Sequence, residues 1–379
     1  KDLAELGAAF ERAGGGQGQV VSVVGKPGVG KSRLFYEFLH GSQAAEWLVL
    51  QTGAVSYGKS TPYLPVIDLL KSYFEIEPSD DAAAIQQKVS GRADPRLAEA
   101  IDPLLALLEA LPAKSPFRTL DPPERRERTL DAVSQLLVRA ARVRPVLLVV
   151  ENLEWIDSET QAVLDTLVQR LGTERVLLVA TYRPEYQHSW HDREYHTVLV
   201  IDTLPAGDAD ELLTSFLGDG PELEPLKRLL VERTGCNPFF LEESLRTLVE
   251  TGVLAGERGA YRLAKPLASI EIPPTVQAIV ASRIDRLAPE DKRLLQCAAV
   301  VGKQFLVALL AALAELHEEE LRNGLMRLQA AEFLDHVGAF PDVEYMFSHA
   351  LTQEVAYATL LHEPRRSLHA KIVGAVEKL

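Results

Sequence analysis

The chain has 379 residues, 47% of them hydrophobic and 25% charged, which excludes a disordered chain; the length exceeds one compact core, so two or three domains are expected. Its net charge of −14 argues against nonspecific attraction to nucleic acid or to an anionic membrane face. Only two cysteines occur, Cys236 and Cys297, far apart and without metal-ligand spacing, as buried thiols in a reducing, cytoplasmic setting would be. No apolar run reaches membrane-spanning length, since the longest, Ala298 to Leu313, contains Lys303. No signal peptide is read, and the start at Lys1 and the helical pattern running to Leu379 suggest a piece of a longer polypeptide.

The first predicted strand, Val20 to Val24, runs into Gly-Lys-Pro-Gly-Val-Gly-Lys-Ser at Gly25 to Ser32, the phosphate-binding loop pattern G-x-x-x-x-G-K-[ST]. Successive backbone N–H groups must turn inward around a phosphate, and Gly28 and Gly30 carry no Cβ to obstruct that wrap. In this pattern Val29 lies on the wrap, Lys31 reaches the β- and γ-phosphates, and the Ser32 hydroxyl ligates magnesium. A helix is expected from Arg33 to Leu39, with its N-terminal dipole end toward the phosphates. Further strands are predicted at Trp47–Gln51, Val146–Val150, Val176–Thr181 and Val198–Ile201, each an apolar run of buried-strand length. Strands alternating with helices call for an α/β fold with a five-stranded parallel sheet covered on both faces. Between the second and third strands a helical stretch from about Tyr63 to Arg142, broken at Pro78, Pro95, Pro112, Pro116 and Pro122-Pro123, is too long for a simple crossover and reads as a helical elaboration.

The third strand turns polar at once with Glu151-Asn152, which makes Glu151 the candidate carboxylate on the magnesium side; an ordinary acidic strand end is the alternative. Asp157-Ser158 reads as a helix N-cap. The fourth strand ends Thr181-Tyr182-Arg183-Pro184, and its hydroxyl and guanidinium are candidates to sense a γ-phosphate, against the alternative of a surface arginine before a turn proline.

With these segments the chain resembles the STAND class of signal-transduction ATPases, and most the ATPase module found beside class III adenylyl or guanylyl cyclase domains and ahead of tetratricopeptide-type repeats. The resemblance rests on Asp2 to Leu6, Gly25 to Ser32, Ser60-Thr61-Pro62-Tyr63, Glu151 to Asp157 and Thr181 to Pro184. It extends through Gly235-Cys236-Asn237-Pro238-Phe239-Phe240-Leu241-Glu242-Glu243, Phe347 to Ala350 and Val355-Ala356-Tyr357. It implies a three-part clamp on ATP or ADP with Mg2+: a P-loop domain over about 1–204 with its elaboration over about 60–143, a helical lid over 205–252 and a winged-helix domain over 253–347. Residues 348–379 would begin a helical-repeat region. The resemblance also implies that Pro238 packs against the adenine, the alternative being a plain helix-initiating proline. It brings His349 toward the β-phosphate of ADP, the alternative being a core histidine. The loop's Arg33 is counted among the nucleotide contacts.

Over Thr275 to Tyr345 there are seven Lys and Arg against eleven Asp and Glu, a net of −4, and the expected second helix of this domain begins His317-Glu318-Glu319-Glu320. A DNA-reading helix needs cations, so nucleic acid is not an expected partner. Relatives show Glu-Asp-Leu-His-Trp where this chain has Glu151-Asn152-Leu153-Glu154-Trp155; a side-chain amide at Asn152 orients a water but cannot accept its proton. The expected function is therefore a nucleotide-binding regulatory switch with slow or absent hydrolysis, acting on an effector domain, cyclase-like or other, in the same polypeptide. A ring-forming AAA+ ATPase and an origin-recognition-like DNA-binding ATPase are the alternatives.

Overall fold

β1 (Gln19–Val24), β2 (Leu48–Gly53), β3 (Val146–Glu151), β4 (Val176–Tyr182) and β5 (His196–Val200) fall where the apolar runs place them, within about two residues at each end. They are described in a computed structural model that covers residues 1–41, 46–54, 59, 61–77, 79–92, 97–266, 272–337 and 344–376. Ser60 of the Ser60–Tyr63 motif, the chain breaks at Pro78 and Pro95, and the terminal Leu379 lie outside the described residues. The strands form one wholly parallel sheet in the order β2-β3-β4-β1-β5.

Because side chains alternate along a strand, each strand feeds two cores. Val20, Leu148, Val150, Leu178 and Ala180 face one; Val21, Val23, Leu147, Val149, Leu177 and Val179 face the other. The second core is closed by α1 (Asp2–Gly14) and α2 (Lys31–Gly41), with Phe10 stacked on Trp47 at 4.0 Å. The first core takes α3 (Leu64–Phe74), α4 (Ala82–Arg92), α5 (Ala98–Leu107), α6 (Pro122–Val143) and α7 (Ser158–Arg170). α3 to α6 are the helical elaboration between β2 and β3. Asp121 caps α6 by accepting from Glu124 N at 2.8 Å, and Asp157 caps α7, as its position before the apolar run indicates.

The chain divides into two compact units, the first comprising 1–26 and 31–201, the second 27–30 and 202–379. In the second unit α8 (Ala206–Leu217), α9 (Glu224–Thr234) and α10 (Pro238–Glu250) enclose a leucine-rich core, followed by the two-stranded β6 (Leu254–Glu257) and β7 (Ala260–Leu263). Then come α11 (Val276–Asp285), α12 (Pro289–Val301), β8 (Gln304–Leu306), α13 (Val307–Ala314), α14 (Glu318–Ala330), β9 (Leu334–Val337), β10 (Glu344–Phe347), α15 (Ala350–Ala358) and α16 (His362–Val376). β8, β10 and β9 make an antiparallel sheet.

Two expectations change here. The helix that starts at Glu318 is the fourth after Thr275, not the second: α11 comes first, and Gly302 and β8 divide the apolar run from Ala298 to Leu313 between α12 and α13. Cys297 is buried, but Cys236 is half-buried, on a left-handed turn residue (φ 59) just before α10. No helix among the described residues is long and apolar enough to cross a membrane.

α10 and α11 are joined by a buried ionic network. Arg283 donates through Nη1 to Glu243 Oε2 at 2.7 Å, through Nε to Glu250 Oε1 at 2.9 Å and through Nη2 to the Ala331 carbonyl at 2.8 Å, while its guanidinium lies 4.6 Å from the Phe333 ring. Arg246 adds Glu243 and Glu332, and Arg286 adds Glu250. The Arg283 and Glu243 side chains are each only 2% exposed, so removing one leaves the other a buried charge with a single remaining ionic partner, Arg246 for Glu243 and Glu250 for Arg283. Arg283→Ala is expected to cost about 3–5 kcal/mol in urea denaturation, whereas Arg286→Ala, at a partly exposed pair, costs under about 1 kcal/mol. Equal losses would show that the network's stability does not depend on burial.

Candidate functional site

β1 carries the loop Gly25–Ser32 directly, and its first residue is held in place from β4: Val24 is in register with Tyr182, and Gly25 N–H donates to the Tyr182 carbonyl at 3.2 Å. α2 opens at Lys31, two residues earlier than the pattern suggests, so Lys31, Ser32 and Arg33 lie in its first turn. Their backbone N–H groups have no carbonyl four residues back within the helix, and the positive end of the helix dipole adds to them, a ready environment for an anion. The Lys31 ammonium donates to the Gly25 carbonyl at 2.6 Å and the Lys26 carbonyl at 3.1 Å, so it is folded over its own loop. The Arg33 guanidinium instead lies on the exposed face of α2 beside Glu37, leaving that residue its backbone for any role in the loop.

Glu151, the last residue of β3, is 6% exposed and engaged at both oxygens. It accepts from Ser32 Oγ at 3.1 Å and from Gln51 Nε2 of β2 at 2.8 Å. The Ser32 hydroxyl and the Glu151 carboxylate are hard oxygen donors whose spacing is close to the roughly 2.9 Å between neighbouring ligands of an octahedral ion bound at about 2.0–2.1 Å. These two residues therefore fit Mg2+, an ion that keeps waters and phosphate oxygens as its remaining ligands.

Asn152 follows in a left-handed conformation (φ 60), which asparagine tolerates better than most side chains. Its N–H donates to Thr181 Oγ1 at 3.0 Å and its Nδ2 to the Ala54 carbonyl at 3.4 Å. Thr181, 1% exposed, therefore holds this turn through its hydroxyl. The next residues, Leu153 to Trp155, form a short 3-10 turn. Glu154 Oε1 pairs with Arg183 Nε at 2.8 Å, and the guanidinium lies 5.4 Å from the Trp155 ring centre. Lys59 lies 5.3 Å from the same ring. The Asp157 carboxylate accepts from Tyr63 N at 3.1 Å, which ties the start of α3 to the start of α7.

In the second unit, Asn237 caps α10 by accepting from Phe240 N at 3.1 Å, while its Nδ2 donates to the Pro27 carbonyl at 2.9 Å. Pro238 takes the first helical position, where its missing N–H costs nothing. Phe239 N–H donates to the Gly28 carbonyl at 3.3 Å, and its ring stands 4.1 Å from that of His349, the residue before α15. Burial, with Arg246 nearby, lowers the His349 pKa to about 4 against the opposing pull of Asp335 and Glu332, so the ring is neutral at pH 7, one nitrogen a donor and the other an acceptor. Gln51, Glu154, Trp155 and Phe239, which touch the predicted site residues, were not among the residues singled out from the sequence, and Asn237, next to Pro238, is the residue of that motif that bonds the loop tip. Glu154 and Trp155 belong to the segment Glu151 to Trp155 that carries the resemblance, three and four residues after Glu151.

Residues 1–179 match the family model of the AAA ATPase domain. An uncharacterised protein of Rhizobium meliloti (strain 1021) is 27% identical over 388 residues, a match that covers 100% of this chain and 36% of that protein. The chain thus spans about a third of the length of the curated relative it matches. Among solved structures, a signal-transduction ATPase with numerous domains (STAND) protein with a tetratricopeptide repeat sensor, from Pyrococcus horikoshii, overlays with a TM-score of 0.50 at 11% identity, covering 97% of this chain and 44% of that one. A Drosophila ORC bound to DNA overlays at a TM-score of 0.35 and 11% identity, over 93% of this chain and 84% of that one, too distant to carry any argument. The AAA ATPase domain model matches residues 1–179, and the overlay with the Pyrococcus horikoshii protein shows a shared fold.

The two loop glycines differ in what they require. Gly30 (φ +102) has no atom within 4 Å of an added Cβ, whereas Gly28 (φ +81) would place one 2.9 Å from both Asn237 Oδ1 and Phe239 Cβ. In urea denaturation Gly30→Ala is expected to cost about 1–2 kcal/mol from backbone conformation alone, and Gly28→Ala at least about 1 kcal/mol more from overpacking. Equal losses would mean that Asn237 and Phe239 impose nothing on the loop.

Proposed function

We propose that the chain is an ATP- or ADP-binding regulatory switch module of a larger signalling protein, with slow or absent hydrolysis. The observation that carries this reading is the arrangement at one sheet edge: Ser32 on Glu151 as a magnesium pair, Lys31 over the loop, and an amide where a second carboxylate would stand. Lys31 exchanges its two carbonyl partners for phosphate oxygens when nucleotide binds. Ser32 and Glu151 hold Mg2+, and Gly28, Val29, Gly30 and the backbone of Arg33 line the phosphates. Arg183 senses the γ-phosphate. His349, donating one N–H as a neutral ring, senses the diphosphate state, and Pro238 meets the base.

In the same reading, residues 205–252 act as a lid and 253–347 as a winged-helix domain, and residues from 348 lead into helical repeats. The effector, cyclase-like or other, belongs to the same polypeptide, and the protein works in the cytoplasm. The acidic balance of residues 275–345, seven Lys and Arg against eleven Asp and Glu, supports an internal regulatory role for that segment over DNA binding.

Slow turnover follows from positions 151 and 152. Both Glu151 oxygens are engaged, and the Asn152 amide, donating to Ala54, cannot take a proton from water. A general base typically contributes about 10²–10⁴-fold, so its loss slows the reaction without weakening binding.

Lys31→Ala is expected to weaken ADP binding at least about tenfold in calorimetric titration, since a buried phosphate loses a charge-assisted contact. Unchanged affinity would sink the site assignment. Asn152→Asp is expected to raise single-turnover ATP hydrolysis at least about tenfold with little change in affinity. Fast hydrolysis by the unmodified chain, or no gain in the variant, would show that Asn152 is not what limits the rate.

A further inference from the structure

We propose that Glu154 is the resting counter-ion of Arg183 and acts as a specificity-determining latch, competing with the terminal phosphate of a nucleoside triphosphate for that guanidinium while leaving diphosphate binding untouched. This rests on the nucleotide-binding reading above and deepens it.

Three observations within the first unit carry the idea. Arg183 leaves β4 immediately after Tyr182, the residue whose carbonyl fixes Gly25 at the start of the phosphate loop, so its side chain starts one residue from that loop. At rest the guanidinium is bonded to Glu154 at 2.8 Å, with side chains only 23% and 13% exposed, a setting in which water weakens the pair less than at an open surface. Glu154 itself belongs to the 3-10 turn that follows Glu151 and Asn152 without a break, so the carboxylate on the magnesium side and the one that holds Arg183 are parts of one short, hydrogen-bonded segment.

Trp155 supplies the platform on which this exchange occurs. Its ring lies near both Arg183 and Lys59, and a guanidinium held against an indole face keeps a favourable contact while its hydrogen-bond partner changes. The indole N–H is buried without an acceptor among the described residues, an unsatisfied donor of the kind a bound anion satisfies.

The electrostatics set the sign. A γ-phosphate carries more charge than a carboxylate and more acceptor oxygens, so it draws Arg183 away, but Glu154 is then left in a half-buried place without its cation. That cost falls on the triphosphate complex alone, because a diphosphate presents no terminal group at this position. Glu154 therefore lowers affinity for ATP relative to ADP and biases the resting protein toward the diphosphate.

The test is calorimetric titration of the full chain with Mg·ADP and with the non-hydrolysable β,γ-imido analogue of ATP. Glu154→Gln is expected to raise affinity for the analogue about tenfold while ADP affinity changes less than about twofold, and Arg183→Ala to lower affinity for the analogue. In the Arg183→Ala background, Glu154→Gln is expected to have no further effect. The latch is overturned if Glu154→Gln shifts both nucleotides equally, or by the same factor with and without Arg183. Should Glu154→Gln fail to fold, Glu154→Asp, which draws the charge back by one carbon, is expected to shift the ratio in the same direction by less, and an unchanged ratio overturns the proposal. If the unmodified chain binds neither nucleotide, the underlying nucleotide-binding reading fails and takes the latch with it; if it binds both and only the ratio is unmoved, the latch alone fails.

Discussion

The parallel pairing of β1 with β4, continued by the bond from Gly25 N–H to the Tyr182 carbonyl, fixes the frame for the candidate site. Parallel strands bring their C-terminal ends to one edge, so the loop after β1, the carboxylate that ends β3 and the arginine after β4 meet there without any long-range design beyond strand order. β4 lies between β1 and β3, which lets Thr181 and Arg183 of one strand reach the turn 152–155 that follows the other. A one-residue slip of β4 would turn its wholly buried side chains to opposite faces, and the alternating cores make that slip expensive.

The second unit is organised around α10. Its first turn anchors the loop tip through Asn237 and Phe239, and its last two turns carry the ionic network to α11 through Glu243, Arg246 and Glu250. Both ends of one 13-residue helix are thus tied by polar bonds. A network of this kind adds specificity of arrangement more than net stability, since desolvation offsets much of its attraction.

What was legible in the sequence was local. Five strands, the cap at Asp157, the helix start at Pro238 and the loop from Gly25 to Ser32 all announce themselves within about ten residues, by apolar run length, capping chemistry or glycine spacing. Ser32 and Glu151, 119 residues apart, were paired in advance only because the end of a buried strand is where such a loop finds its carboxylate. Long-range partners with no such rule stayed hidden. Nothing in the text of the chain tells that Gln51 holds Glu151, that Glu154 takes Arg183, or that the amide of Asn237 reaches Pro27 across 210 positions. The misplaced helix order after Thr275 has a plainer cause: α11 comes first, and Gly302 and three strand residues interrupt an apolar run that a window average reads as one piece.

Asn237 uses both ends of its amide, the oxygen on Phe240 N–H and the nitrogen on the Pro27 carbonyl. Aspartate would keep the first bond and turn the second into a repulsion between oxygens; serine would keep the cap but lacks the reach. The spontaneous ageing of asparagine makes that same aspartate, and it ordinarily proceeds through attack by the backbone nitrogen of the following residue on the side-chain carbonyl. Here that nitrogen belongs to Pro238 and carries no hydrogen. The residue that starts the helix thereby also closes that route of decay for the amide that grips the loop tip.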